Sequence, residues 1–100
     1  MNITKTESGN IMKLHIEGRL DATSSPQLQE EIITALENAE ELHLDFTNLD
    51  YISSAGLRVL LIGEKAATNK GKQMKLFGVS AEVMEIMNMT GFANILKIEA

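Results

Sequence analysis

The chain has 100 residues, 44% of them hydrophobic, with nine Lys and Arg against 14 Asp and Glu and a formal net charge of −5. That length fits one domain with a modest core and argues against a disordered chain. No cysteine is present, which excludes disulfides, thiolate nucleophiles and Cys-based zinc sites. An acidic chain with 4% aromatic residues suits neither a phosphate backbone nor base stacking, so nucleic acid is not an expected partner.

The N-terminus, "MNITKTESGN", is polar and has no apolar signal core. The longest apolar run, Val59 to Ile62, is far short of the ~20 residues of a membrane span. A cytoplasmic protein with no membrane insertion is the expectation.

Residues 2–8 are polar and compatible with an edge strand. In "IMKLHIEG", Met12, Leu14 and Ile16 alternate with Lys13, His15 and Glu17, the period of a half-buried strand. "SGN" between the two segments predicts a hairpin turn. Ser24 or Ser25 can cap a first helix with Pro26 in its first turn, where a missing N–H costs nothing. Leu28, Ile32, Ala35, Leu36 and Ala39 make its apolar face, and Glu30, Glu31, Glu37, Glu40 and Glu41 read as a solvated face. "ELHLDF" returns to alternation as a third strand. "TNLDYISSAG" then reads as a loop into a second helix that carries Leu57, Leu60 and Leu61 inward and ends near Gly71.

"QMKLFGV" predicts a fourth strand. Ser80 caps a third helix, Glu82 suits its dipole and Gly91 ends it. "NILKI" closes the chain as a short strand. The expected order is β-β-α-β-α-β-α-β over residues 1–100, an α/β domain with a mixed, mostly parallel sheet and helices as crossovers.

Several chemistries lack their residues. Gly71-Lys72 is followed by Gln73, so no Walker A loop forms, and neither G-x-G-x-x-G nor G-x-S-x-G occurs. No cofactor or metal site is expected. His15 and His43 alternate with core positions and read as surface histidines. Asp21 and Asp50 near strand ends could form a paired-acid hydrolase, though nothing in their spacing demands it. Lys65, Lys70, Lys72 and Lys75 suit the C-terminus of the second helix. Met84, Met87 and Met89 read as core filling, with an adaptable partner surface as the other option.

In open α/β sheets, ligands and partners meet the loops that follow the strands' carboxyl ends. "YISSAGLRVLL", residues 51–61, is such a loop running into a helix start that favours negative charge. This stretch resembles the central signature of the STAS domains, and within them the bacterial anti-sigma factor antagonists. "EGRLDA" (17–22), "SSP" with "QLQEEI", "LHLDFTNLDYISSAGLRVLL" (42–61) and "MNMTGFANILKI" (87–98) carry the resemblance along nearly the whole chain.

The resemblance implies no enzyme but a switch. Unphosphorylated antagonist would bind an anti-sigma factor that is itself a serine kinase holding ATP. That frees a sigma factor. Phosphorylation would then release the complex, and a serine phosphatase would restore it. By the same likeness Ser54 is the phosphoacceptor, with Ser53 as alternative because it stands where relatives often have aspartate. Asp21, Ser53, Ser54, Ala55, Gly56 and Arg58 are the expected partner-binding residues. Arg58 could meet a partner or the phosphate, or be an ordinary surface arginine. The competing expectation is a non-switching STAS subunit of a membrane lipid-transport complex, in which both serines are merely a cap and a loop hydroxyl.

Overall fold

Alternation in residues 11–16 places Met12, Leu14 and Ile16 on the core side of a long central strand. The computed structural model describes residues 1–99. β1 (Asn2–Ser8) turns through Gly9, φ 61°, into β2 (Ile11–Leu20), the expected antiparallel hairpin. Then follow α1 (Ser25–Asn38), β3 (Glu41–Asp45), β4 (Leu49–Ile52), α2 (Ser54–Asn69), β5 (Gln73–Phe77), α3 (Ala81–Thr90), a 3-10 turn (Phe92–Asn94) and β6 (Lys97–Ile98). The strands form a sheet of order β1-β2-β3-β5-β6, parallel from β2 onward, and β4 pairs with β2 off that path.

β4 corrects the expected loop. Its burial runs inside, outside, outside, inside, so no period of two marks it in the sequence. Its partner is the far end of β2, beyond the stretch that pairs with β3. The register shifts between Gly18 and Arg19, where Gly18 adopts φ 102°, a conformation that favours glycine. Gly18 N–H also donates to Asn48 O at 3.1 Å, which holds the incoming end of β4. One long strand therefore pairs in parallel with β3 and, further along its length, with β4.

The core joins Leu14, Ile16, Leu42, Leu44, Met74 and Leu76 of the sheet to Leu28, Ile32 and Leu36 of α1 and Leu57 and Leu60 of α2. Each such side chain contributes roughly 1.5–3 kcal/mol by leaving water. The inward face of α2 also holds Val59, Gly63 and Ala67, whereas Leu61 is only half-buried. Met87 is fully buried and Met84 partly so, but Met89 is 80% exposed, so core filling fails for that residue.

The basic cluster divides in a way the sequence did not suggest. Lys72 Nζ donates to Leu36 O at the last turn of α1, not of α2, and Lys75 lies 3.6 Å from Glu41. Glu41 itself belongs to β3 and not to the solvated helix face. Glu31 leaves that face too, pairing with Lys5 at 2.7 Å.

Gly56 is where the start of α2 meets the sheet. A Cβ there would lie 2.8 Å from Leu20 Cγ and 2.9 Å from Ile52 Cγ1, both branch or chain atoms that cannot swing away. At Gly63, two turns further along the same face, the same atom would meet Met74 Sδ at 2.8 Å, a thioether that can rotate aside, and Ile32 Cγ2 at 3.0 Å. Alanine improves helix propensity at either position by up to about 1 kcal/mol. Gly56→Ala should nevertheless lower stability by about 1–3 kcal/mol in urea unfolding, through overpacking, while Gly63→Ala should cost less than half as much.

Candidate functional site

The two serines do different work. β2 and β4 run side by side to their ends, and Ser53 N–H continues the pairing by donating to Leu20 O at 2.9 Å. Ser53 then stands at the N-cap of α2 in extended conformation, and its Oγ accepts Gly56 N–H at 3.3 Å. Such a cap satisfies one of the helix's orphan donors and contributes about 1 kcal/mol. Ser54 is the first helical residue, is exposed, and makes no side-chain hydrogen bond among the described residues. One hydroxyl is structurally engaged and the neighbouring one is free.

Asp21 builds the adjoining turn. Its Oδ1 accepts the N–H groups of Thr23 and Ser24, each at 3.1 Å. Ser24 Oγ accepts Asp21 N–H at 3.0 Å and donates to Arg19 O at 2.7 Å. Ser25 Oγ donates to Asp21 O and is buried. The expected cap on α1 is thereby corrected. Ser24 occupies the position in helical conformation and its side chain serves the preceding turn, not the helix. The Ser24 backbone N–H above all, with the Ser24 hydroxyl, Thr23 N–H and Arg19, holds the Asp21 carboxyl below the usual carboxylate range against partial desolvation. A carboxylate so engaged makes a poor general base at neutral pH, which argues against the paired-acid hydrolase.

The helix starts of α1 and α2 face each other across a cleft of ≈ 320 Å³. Ser25, Pro26 and Gln29 line one side, and Ser54, Ala55 and Arg58 the other. Arg58 is exposed, and among the described residues it is in no ion pair. Gly56, expected at a partner surface, is buried and serves packing. Asp50 and Tyr51 are exposed on β4, and the Arg19 guanidinium lies 4.2 Å from the Tyr51 ring centre. Sequence reasoning missed Ser25 and Gln29 as parts of this cleft. Their only signal is the tertiary meeting of two helix starts.

The histidines lie elsewhere, on the sheet face opposite the core. His15 Nδ1 is 2.9 Å from Asp45 Oδ2. His43 bonds Glu41 and packs against Phe77 at 4.7 Å between ring centres, so it is more covered than a surface histidine. Partial burial raises the Asp45 carboxyl, but the Thr47 hydroxyl and N–H and His15 outweigh it and leave it lowered. Hydrogen bonding from His43, with Lys75, lowers Glu41. Among the described residues, no group of three or more His, Asp and Glu is placed to hold a metal ion, and no helix is long and apolar enough to cross a membrane.

The STAS domain family model matches residues 2–100. The chain belongs to the STAS domain family. It is 26% identical over 100 residues to an anti-sigma-B factor antagonist of Bacillus subtilis (strain 168), covering 100% of this chain and 92% of that protein. In three dimensions it is similar to the anti-sigma factor antagonist SpoIIAA in its unphosphorylated form. The TM-score there is 0.82 at 16% identity, over 99% of this STAS chain and 89% of that chain. A sulfate transporter family protein from Wolinella succinogenes shares the fold, with TM-score 0.81 at 18% identity over 94% and 80% of the two chains. Fold alone therefore does not separate the two expected functions.

Acid should test the carboxylate turn. Asp21, Asp45 and Glu41 all titrate lower in the folded STAS domain than in the unfolded chain. Their contribution is present above about pH 4–4.5, the unfolded carboxylate range, and is lost as pH falls through the lowered folded values. Urea midpoints should therefore fall below pH 4. Asp21→Asn should be less stable than wild type at pH 6 and show a shallower decline toward pH 3.

Proposed function

We propose that this protein is an anti-sigma factor antagonist whose binding is switched by phosphorylation at Ser54. The single observation that carries this reading is the division of labour between the serines. Ser53 Oγ is held by Gly56 N–H while Ser54 Oγ stands free at the cleft rim. A kinase can take the second hydroxyl without dismantling the helix cap. The similarity to an anti-sigma-B factor antagonist supplies the class of partner.

On this reading the unphosphorylated protein binds an anti-sigma factor in the cytoplasm through the surface around Asp21, Ser53, Ser54, Ala55 and Arg58. The partner is also a serine kinase and holds the ATP, since this chain has no Walker A loop. Ser54 Oγ attacks the γ-phosphorus, the bond to the β–γ bridging oxygen breaks, ADP leaves, and the hydroxyl proton passes to a base on the kinase. A phosphatase later adds water and releases inorganic phosphate. The antagonist works by binding and performs no turnover of its own.

Magnitudes place the switch in the interface. Phosphoserine carries about −1.5 to −2 charges at pH 7. At the start of α2 that charge meets the positive end of the helix and gains roughly 0.3–1 kcal/mol. Burying it against a partner without enough cations costs several kcal/mol. Moving a complex from 99:1 to 1:99 needs about 5.5 kcal/mol. The interface contribution reaches that scale and the helix contribution opposes unfolding.

Incubation with the cognate kinase and ATP should add one phosphate, read by intact mass. Ser54→Ala should abolish the gain. Ser53→Ala should keep it while losing about 1 kcal/mol of stability with the cap. Phosphate on Ser53 in the Ser54→Ala protein would refute the site. Recovery of a transporter ATPase in place of a kinase, with an unmodified Ser54, would favour the non-switching transport subunit.

A further inference from the structure

The cleft beside Ser54 has an unusual charge content for this protein. The chain carries 14 acids against nine bases. Yet the cleft is lined by Ala22, Ser25, Pro26, Gln29, Ser54, Ala55, Arg58 and Val59, with one cation and no anion. Arg58 is four residues beyond Ser54 on the same helix, the spacing at which side chains meet across one turn at ≈ 5–6 Å between Cβ atoms. Both side chains line the same cleft, and Arg58 is exposed and in no ion pair among the described residues. The nearby guanidinium that is engaged is Arg19, which lies over Tyr51.

We infer that Arg58 is the internal counter-ion of phosphorylated Ser54, drawing the phosphoryl group into the cleft between α1 and α2. The inference rests on Ser54 being the phosphoacceptor. A planar guanidinium can bind two phosphate oxygens at once, and the bond is charge-assisted. Gln29, on the opposite wall, offers an amide N–H₂, while the Ser25 hydroxyl proton is already given to Asp21 O. No carboxylate lines the cleft to compete for Arg58.

The consequence for regulation is two-sided. In the unphosphorylated protein Arg58 is free to meet a carboxylate of the partner. In the phosphorylated protein the same cation is occupied. Modification therefore adds a dianion to the docking surface and withdraws a cation from it in one step.

The test needs no kinase. Phosphoserine is installed at position 54 during translation, and the phosphate is titrated by phosphorus NMR between pH 4 and 8. The second dissociation, about pH 6 for phosphoserine, should lie lower in the folded protein than in the same protein unfolded in urea. Arg58→Gln should raise it by roughly half a pH unit, about a threefold change in proton affinity. Arg58→Lys should recover only part of the difference, because an ammonium cannot bind in the bidentate way. Lys65→Gln, about three turns from Ser54 and outside the cleft, should leave the titration unmoved. In the wild type, the Arg58 Nε–H resonance should shift on phosphorylation. Identical titrations of wild type and Arg58→Gln would overturn the inference, as would an equal rise in Lys65→Gln. Neither result would touch the identity of the phosphoacceptor, which the kinase assay decides separately.

Discussion

The approach of α2 to the sheet at Gly56 governs the geometry of everything around it. With no room for a Cβ between Leu20 and Ile52, the helix start is seated against the ends of β2 and β4. That seating brings Ser53 into line with Leu20 O and lets its hydroxyl turn back to Gly56 N–H. Once Ser53 is the cap, Ser54 is the first residue of the helix and its side chain is directed to the cleft rim. A packing constraint in the first turn of α2 thus separates a hydroxyl engaged as a cap from one that makes no side-chain hydrogen bond among the described residues.

The sheet topology makes this possible. β2 is long enough to pair with β3 and then, past the irregularity at Gly18, with β4. Both strands release the chain at the same end of the sheet, and the turn after β2 carries Asp21 there too. The hydrogen bonds from Thr23 and Ser24 to Asp21 Oδ1 hold the turn that leads into α1, opposite the start of α2. Two helix starts meet over a cleft lined by one cation, Arg58, and no anion, on a domain that is otherwise acidic.

Much of this was legible in the sequence because it depends on local pattern. Alternation in residues 11–16 and 41–46, the stripe Leu28–Ile32–Leu36, Ser80 at a helix start and Gly91 at its left-handed end each follow from short-range rules. β4 was not legible, because Leu49 and Ile52 are spaced three apart and its partner is a strand end some thirty residues earlier. The destination of Lys72 at Leu36 O, the pairing of Lys97 with the buried Glu64 at 2.6 Å and the exposure of Met89 share that cause. Each depends on which elements become neighbours. The serine loop was recognisable from its resemblance to the family signature, but only geometry distinguishes the capping hydroxyl of Ser53 from that of Ser54.

The central claim is that phosphorylation at Ser54 alters the docking surface and leaves the fold intact. Equilibrium urea unfolding of the protein carrying phosphoserine at position 54, beside the unmodified protein at pH 7, tests it most directly. The account predicts a midpoint equal to or above that of the unmodified protein, with the same slope, because the charge sits at the positive end of a helix whose cap is untouched. A midpoint well below it, or a changed slope, would mean that the phosphate disrupts the start of α2, and would move the switch from the interface into the fold.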